Sequence, residues 1–205
     1  LNLTKLFETQ AALDEHIMQE HPELRGQNNL DWKLLALQVE LGECANEWRG
    51  FKKWSKDQEP RTKVEHLCVQ CYGEGTASYL NLIDQEVYEE CEDCKGTGKI
   101  GESNPLLEEY VDCLHFILSI GLEIDVTTSL VWNDIDFFDT DITVQFIGVA
   151  SSIFDLRKWK SYISWEVLFG EFYILGKMLG FTWDQVEEAY FEKNKINHAR
   201  QANSY

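Results

Sequence analysis

Two short acidic repeats, Glu40-x-x-Glu43 and Glu109-x-x-Asp112, each fall inside a segment whose apolar spacing reads as a core-facing helix. Positions three apart stack on one side of a helix, so each repeat presents a pair of carboxylates to whatever faces it. Unpaired carboxylates against a packed interior are costly, and a hard cation bound through oxygen removes that cost. Mg²⁺ takes octahedral oxygen coordination and usually keeps waters and phosphate oxygens among its ligands. The four acids therefore predict a divalent-metal site acting on a polyphosphate, where two or more ions would hold the phosphates and make a bound water nucleophilic. Glu47 continues the stripe of Glu40 and Glu43; it and Glu108 read equally well as solvated acids of an acidic protein. Asp112 differs, because Val111, Leu114, Phe116 and Ile117 surround it in sequence with apolar groups.

A second chemistry is carried by cysteine. Cys68-x-x-Cys71-x-Gly73-x-Gly75 recurs as Cys91-x-x-Cys94-x-Gly96-x-Gly98. Two Cys-x-x-Cys units supply the four thiolates of a closed tetrahedral Zn²⁺ site, and the glycines permit the tight turns around each unit. A single such pair could be a redox dithiol, but the matching glycine spacing favours one structural zinc. With no open position, that metal would hold a small segment together rather than catalyse. The pattern resembles the zinc-binding repeats of DnaJ-type chaperones in its knuckles alone. Cys44 and Cys113 fall on helical stretches and are expected to be buried thiols.

The elements that must position these groups are mainly helical. Residues 3–21 read as a first helix with Leu6, Leu13 and Ile17 as anchors, stopped by Pro22. Residues 30–51 form a second, striped by Leu34, Leu37, Leu41, Cys44, Ala45 and Trp48. Pro105 opens a helix that is apolar nearly all round through Leu122, which places it centrally. Residues 142–158 and 159–179 read as two more, with Gly180 as terminator. Thr182 caps the last helix, with Gln185 in the capping-box position. Residues 126–141, with Thr127, Thr128, Val131 and Trp132, fit a helix end, a loop or a short extended piece. Strand-like alternation is confined to residues 79–88. The expected architecture is all-α, a helical domain of residues 1–58 and 104–205 interrupted by a four-cysteine zinc-binding module at 59–103.

The chain has 205 residues, 18 Lys+Arg against 36 Asp+Glu, and a formal net charge of -18. That balance opposes a non-specific grip on nucleic acid or anionic lipid, while a nucleotide stays possible where metal ions supply the positive charge. No segment resembles a signal peptide, and no apolar run approaches the roughly 20 residues of a membrane span. Paired cysteines without secretory features fit a metal site in a cytoplasmic protein.

Taken together, Glu40-x-x-Glu43-x-x-x-Glu47, Phe51-Lys-Lys-Trp54, Glu109-x-x-Asp112 and the stretch from Ala189 through Lys193, Asn194, Asn197 and Arg200 to Gln201 resemble the dimeric all-α dUTP diphosphatases. These are relatives of the MazG-type nucleoside triphosphate pyrophosphohydrolases, and the resemblance covers the helical body but not residues 59–103. It implies a MazG-like bundle, a homodimer, and Mg²⁺-dependent hydrolysis of dUTP, and of dUDP, to dUMP. Glu40, Glu43, Glu109 and Asp112 match the metal ligands, with one of the first-motif glutamates activating water. Lys193, Asn197 and Arg200 would contact phosphate or sugar; they share a helical face, although that face alone also reads as solvated. Gln10 and Asp14 fall where relatives place amides that read uracil. Asp14 offers a carboxylate there, which cannot donate to a uracil carbonyl, so another residue reads the base or the register differs. Trp54 stacks on the base or packs the dimer. The alternatives are a MazG-like hydrolase of another nucleotide, or a zinc-stabilised binding protein without catalysis.

Overall fold

The computed structural model describes residues 1–80, 83, 85–126 and 141–203. Helices dominate them: α1 (Thr4–Glu20), α2 (Leu30–Trp48), α3 (Pro105–Glu123), α4 (Ile142–Trp159), α5 (Tyr162–Met178) and α6 (Trp183–Ala202). Between α2 and α3 lie four short strands, β1 (Val64–Leu67), β2 (Thr76–Leu80), β3 (Glu86–Glu90) and β4 (Lys99–Ser103). The chain divides into two compact units, Leu1–Pro60 with Leu106–Tyr205, and Arg61–Pro105. The fold is mostly α, as the apolar periodicity predicts.

In the helical unit α1 lies against α6, and α4 against both α2 and α5. Leu34, Leu37, Leu41 and Cys44 of α2 are buried, the stripe expected for that helix. α3 buries residues on every side, among them Leu106, Tyr110, Val111, Leu114, Ile117 and Leu118, which makes it the centre of the core. Its aromatic contacts fix it there: Tyr110 stacks on Phe172 with ring centroids 4.1 Å apart and donates to the Phe172 carbonyl at 2.9 Å. Trp165 of α5 donates its indole N–H to the Ile117 carbonyl at 2.8 Å, so a helix carbonyl and a buried ring are satisfied together.

Most helix ends follow the sequence signals. Gly180 takes φ +89, and the bonds Gly180 N–H to Lys177 and Phe181 N–H to Gly176 close α5 in a Schellman motif. Thr182 and Gln185 exchange the two bonds of a capping box ahead of α6. Two boundaries differ from expectation. α2 stops at Trp48 rather than running to residue 51, because Arg49 adopts a left-handed φ of 63 and its N–H closes onto Ala45. Trp159 ends α4 instead of opening α5: Lys160 turns left-handed, and Ser161 starts α5 through a capping box with Ser164. Thr127, Thr128, Val131 and Trp132 lie outside the described residues. Among those described, no helix is long and apolar enough to cross a membrane.

The unit at Arg61–Pro105 is built from two antiparallel ribbons, β1 with β4 and β2 with β3. The second coincides with the expected alternation around residues 79–88, of which 81, 82 and 84 lie outside the described residues. The first, pairing Val64 with Ser103 and Glu65 with Glu102, has no alternation to announce it. Salt bridges across it, Lys63 with Glu102 and Lys99 with Glu65, are exposed and contribute little each.

Candidate functional site

Helices α2 and α3 bring the two acidic repeats together. Carboxylate oxygens of Glu40, Glu43 and Glu109 lie within 4.8 Å of one another. Their proximity is electrostatically unfavourable in the absence of a cation. Burial, then the charges of Asp112, Glu43 and Glu40, push Glu109 up to about 7, with Lys193 opposing. Glu40 is raised for the same reasons, burial first and then Asp112 and Glu43. Asp112 adjoins this trio but is engaged differently: its Oδ2 accepts from Lys193 Nζ at 2.5 Å, and both side chains are more than four-fifths buried. Burial raises its pKa, and the bond to Lys193 and the charge of Arg200 pull the other way.

Beside the acids is a cavity of about 320 Å³. Glu40 and Asp112 form one part of its wall, Asn197, Arg200 and Gln201 of α6 another, and Gln10 and Asp14 of α1 a third. The structure places the three α6 residues Lys193, Asn197 and Arg200 differently. Lys193 sits on Asp112, while Asn197 and Arg200 line the cavity.

Asp14 is not directed at a ligand with a bare carboxylate. Its Oδ2 accepts from Ser119 Oγ at 2.6 Å and from Lys33 Nζ at 3.2 Å, and its Oδ1 accepts from Gln10 Nε2 at 2.7 Å. Lys33, only 3% exposed in its side chain, is held between Asp14 and Glu123, the latter at 2.6 Å. A buried ammonium with two carboxylate partners meets the condition under which such a charge is tolerated. Gln10 passes this order on, its Oε1 facing His115 Nδ1 at 2.8 Å and the Tyr190 hydroxyl at 2.9 Å. His115 in turn stacks on Tyr190 with centroids 4.2 Å apart.

Sequence reasoning singles out neither Lys33, Ser119 nor His115, although each is a polar residue set in an apolar helical run. Trp32, which the sequence reading passes over, lines the cavity and donates its indole N–H to Asn29 Oδ1 at 3.0 Å. Trp54 is 79% exposed, packs edge-on against Phe51 and does not line this cavity. Glu47 lies close enough to Cys44 to help raise its thiol pKa, after burial and Glu109. Cys44 and Cys113 are buried free thiols, as expected.

In the Arg61–Pro105 unit the sulfurs of Cys68, Cys71, Cys91 and Cys94 also lie within 4.8 Å of one another. Cys68 and Cys91 sulfurs are 3.8 Å apart and those of Cys71 and Cys94 are 3.6 Å apart. The two knuckles are near-copies facing each other. Cys68 N–H donates to Gly98 and Cys91 N–H to Gly75, and Gly75 and Gly98 N–H donate to the Cys71 and Cys94 sulfurs, each at 3.2 Å. Gly75 and Gly98 both have positive φ, and a Cβ on either would collide with a backbone carbonyl of the opposite knuckle, Gly96 or Gly73. The repeated last glycine thus answers both a turn and a close approach.

A family model described as dUTPase matches residues 2–69 and 96–205, most of the chain, and the chain belongs to that family. No curated protein and no solved structure matches it. Residues 70–95, which carry Cys71, Cys91 and Cys94, fall outside the family match.

Proposed function

From membership of the dUTPase family we propose that this chain hydrolyses dUTP to dUMP and pyrophosphate, and dUDP to dUMP and phosphate, by attack of water at the α-phosphorus in the cavity lined by α1, α2, α3 and α6. The observation that supports it best is the convergence of Glu40, Glu43 and Glu109 beside a cavity bounded by Glu40, Asp112, Asn197 and Arg200. The donor set is all oxygen and strongly anionic, which suits a hard divalent cation, so we assign Glu40, Glu43, Glu109 and Asp112 as ligands of Mg²⁺. Mg²⁺ bound there would neutralise phosphate charge and favour nucleophilic attack by water. Glu40 or Glu43 would accept the proton of the attacking water. Lys193 and Arg200 supply fixed positive charge where the phosphate oxygens gain negative charge in the transition state. Asn197 would hold the sugar or a phosphate oxygen.

The same reasoning assigns one Zn²⁺ to the four cysteines. A regular tetrahedron with Zn–S bonds of about 2.3 Å has edges of roughly 3.8 Å, close to the observed sulfur separations, whereas a disulfide needs about 2.05 Å.

The deciding experiment is a comparison of kcat/KM for dUTP, dUDP, dCTP, dTTP and dATP with and without Mg²⁺, using folded, zinc-loaded protein. dUTP should be the best triphosphate, dUDP should yield dUMP, and omission of Mg²⁺ should abolish turnover. A preference for dCTP or a purine nucleotide would leave the acidic site in place and reject the uracil assignment. Flat results for every nucleotide would reject enzymatic function.

A further inference from the structure

Hydrogen-bond polarity runs along the cavity wall from Lys33 to a buried acceptor on His115. Lys33 Nζ and Ser119 Oγ both donate to Asp14 Oδ2. The other oxygen of Asp14 can only accept, and the Gln10 side chain meets it with Nε2 at 2.7 Å, which fixes the orientation of that amide. Gln10 Oε1 is consequently an acceptor for both neighbours it meets, His115 Nδ1 at 2.8 Å and Tyr190 Oη at 2.9 Å. His115 must carry its proton on Nδ1. Its Nε2 is then a bare acceptor, buried and without a hydrogen-bond partner among the described residues. The ring is 6% exposed and lines the cavity. Burial first, and then the charge of Lys193, hold the imidazole pKa down at about 3 against an opposing backbone contact with Tyr190, so the ring is neutral and carries a single proton at neutral pH.

An orphaned acceptor in a buried, otherwise satisfied network costs free energy until something donates to it. Resting on the proposed reaction, we propose that His115 Nε2 is the specificity element for the base and accepts the imide N3–H of uracil. Cytosine presents a lone pair at N3, so the same nitrogen would face two acceptors with no proton between them. Thymine shares the N3–H, and its exclusion has to come from the wall near its methyl group. Asp14 acts in this reading as a positioning residue: its carboxylate, standing where an amide is expected, orients Gln10 and through it the tautomer of His115.

The test uses calorimetric binding of dUMP, dCMP and N3-methyl-dUMP to wild type and to His115→Asn in the presence of Mg²⁺. Asparagine can place an N–H near the position of Nδ1, keeping the bond to Gln10, and has nothing at the position of Nε2. Wild type should bind dUMP at least about 100-fold more tightly than either analogue. In His115→Asn that preference should shrink by about tenfold or more through loss of dUMP affinity. A dUMP to dCMP ratio unchanged by the substitution would overturn the proposal, as would absence of dUMP binding to wild type. If His115→Asn does not fold, the wild-type arm decides: N3-methyl-dUMP binding as tightly as dUMP would overturn it, and rejection would support it. Base preference in a protein that hydrolyses nothing would support the role of His115 and reject the proposed reaction.

Discussion

Glu109 shows how a single side chain links the site to stability. Its carboxyl stands at about 7 against an ordinary value of 4.5 because it is buried beside three other acids. Between those two values the folded chain holds a proton that the unfolded chain has released. The resulting stabilisation is fully present below pH 4.5 and is lost as pH rises through about 7. In Mg²⁺-free buffer, Tm should therefore fall more steeply between pH 5 and 8 in wild type than in Glu109→Gln, and Mg²⁺ should raise wild-type Tm mainly at the upper end. Parallel Tm profiles for the two proteins would show that Glu109 does not titrate in this window. Asp112→Asn tests the acid that is engaged by Lys193. The helical circular dichroism should persist while kcat for dUTP falls by about 100-fold or more, because the substitution removes a proposed ligand and the partner of a mostly buried ammonium. Near-parental turnover at saturating Mg²⁺ would remove Asp112 from the catalytic assignment. The acids could be seen in the sequence because their spacing is local and helical. The Lys33, Asp14, Gln10 and His115 network could not, since its bonds to Lys33 and His115 join residues 19 and 105 positions apart and no short-range pattern encodes them.

The helices are legible for the same reason that the acids are: periodicity, proline and capping residues act within one or two turns. The boundary between α4 and α5 shows where this fails. Apolar residues continue through Trp159, Tyr162 and Ile163, and only the exchange between Ser161 and Ser164 reveals the second start. Ser161→Ala should then lower stability by about 1 kcal/mol, readable as a shift in the denaturation midpoint without change in slope. A neutral result would mean that packing alone sets this boundary. The cysteine unit depends on a different kind of signal, a repeated spacing that brings four sulfurs together. Protein purified without chelator should contain one equivalent of zinc per chain. Cys91→Ser should lose it and lose amide-exchange protection across residues 61–105, since so small a unit has four buried cysteines as its core cluster. Full protection without metal would refute a structural zinc.

Over the whole molecule, burial and charge point in different directions. A net charge of -18 keeps copies of the chain apart at long range, yet α4 and α5 leave Val144, Ile147, Phe154, Trp159, Ile163 and Val167 exposed. α3, apolar nearly all round, has most of its apolar residues in the core, with Leu107, Phe116 and Leu122 partly buried against it. Among the described residues, Leu35 and Val39 of α2 are exposed as well, and α4 lines an apolar groove of about 480 Å³ with Leu41, Ala45, Trp48 and Phe51. Contiguous apolar surface on a folded chain marks an interaction site more often than scattered exposure does. The resemblance to dimeric enzymes makes a second copy of the chain the expected occupant, and screening by salt should help two acidic copies approach. Sedimentation at micromolar concentration should give twice the 23.9 kDa of one chain, with the dimer fraction rising between low and physiological ionic strength. Phe154→Glu, which adds a charge to that apolar surface, should shift the mass toward one chain while leaving the helical spectrum intact. A wild-type mass of a single chain under these conditions would refute the dimer.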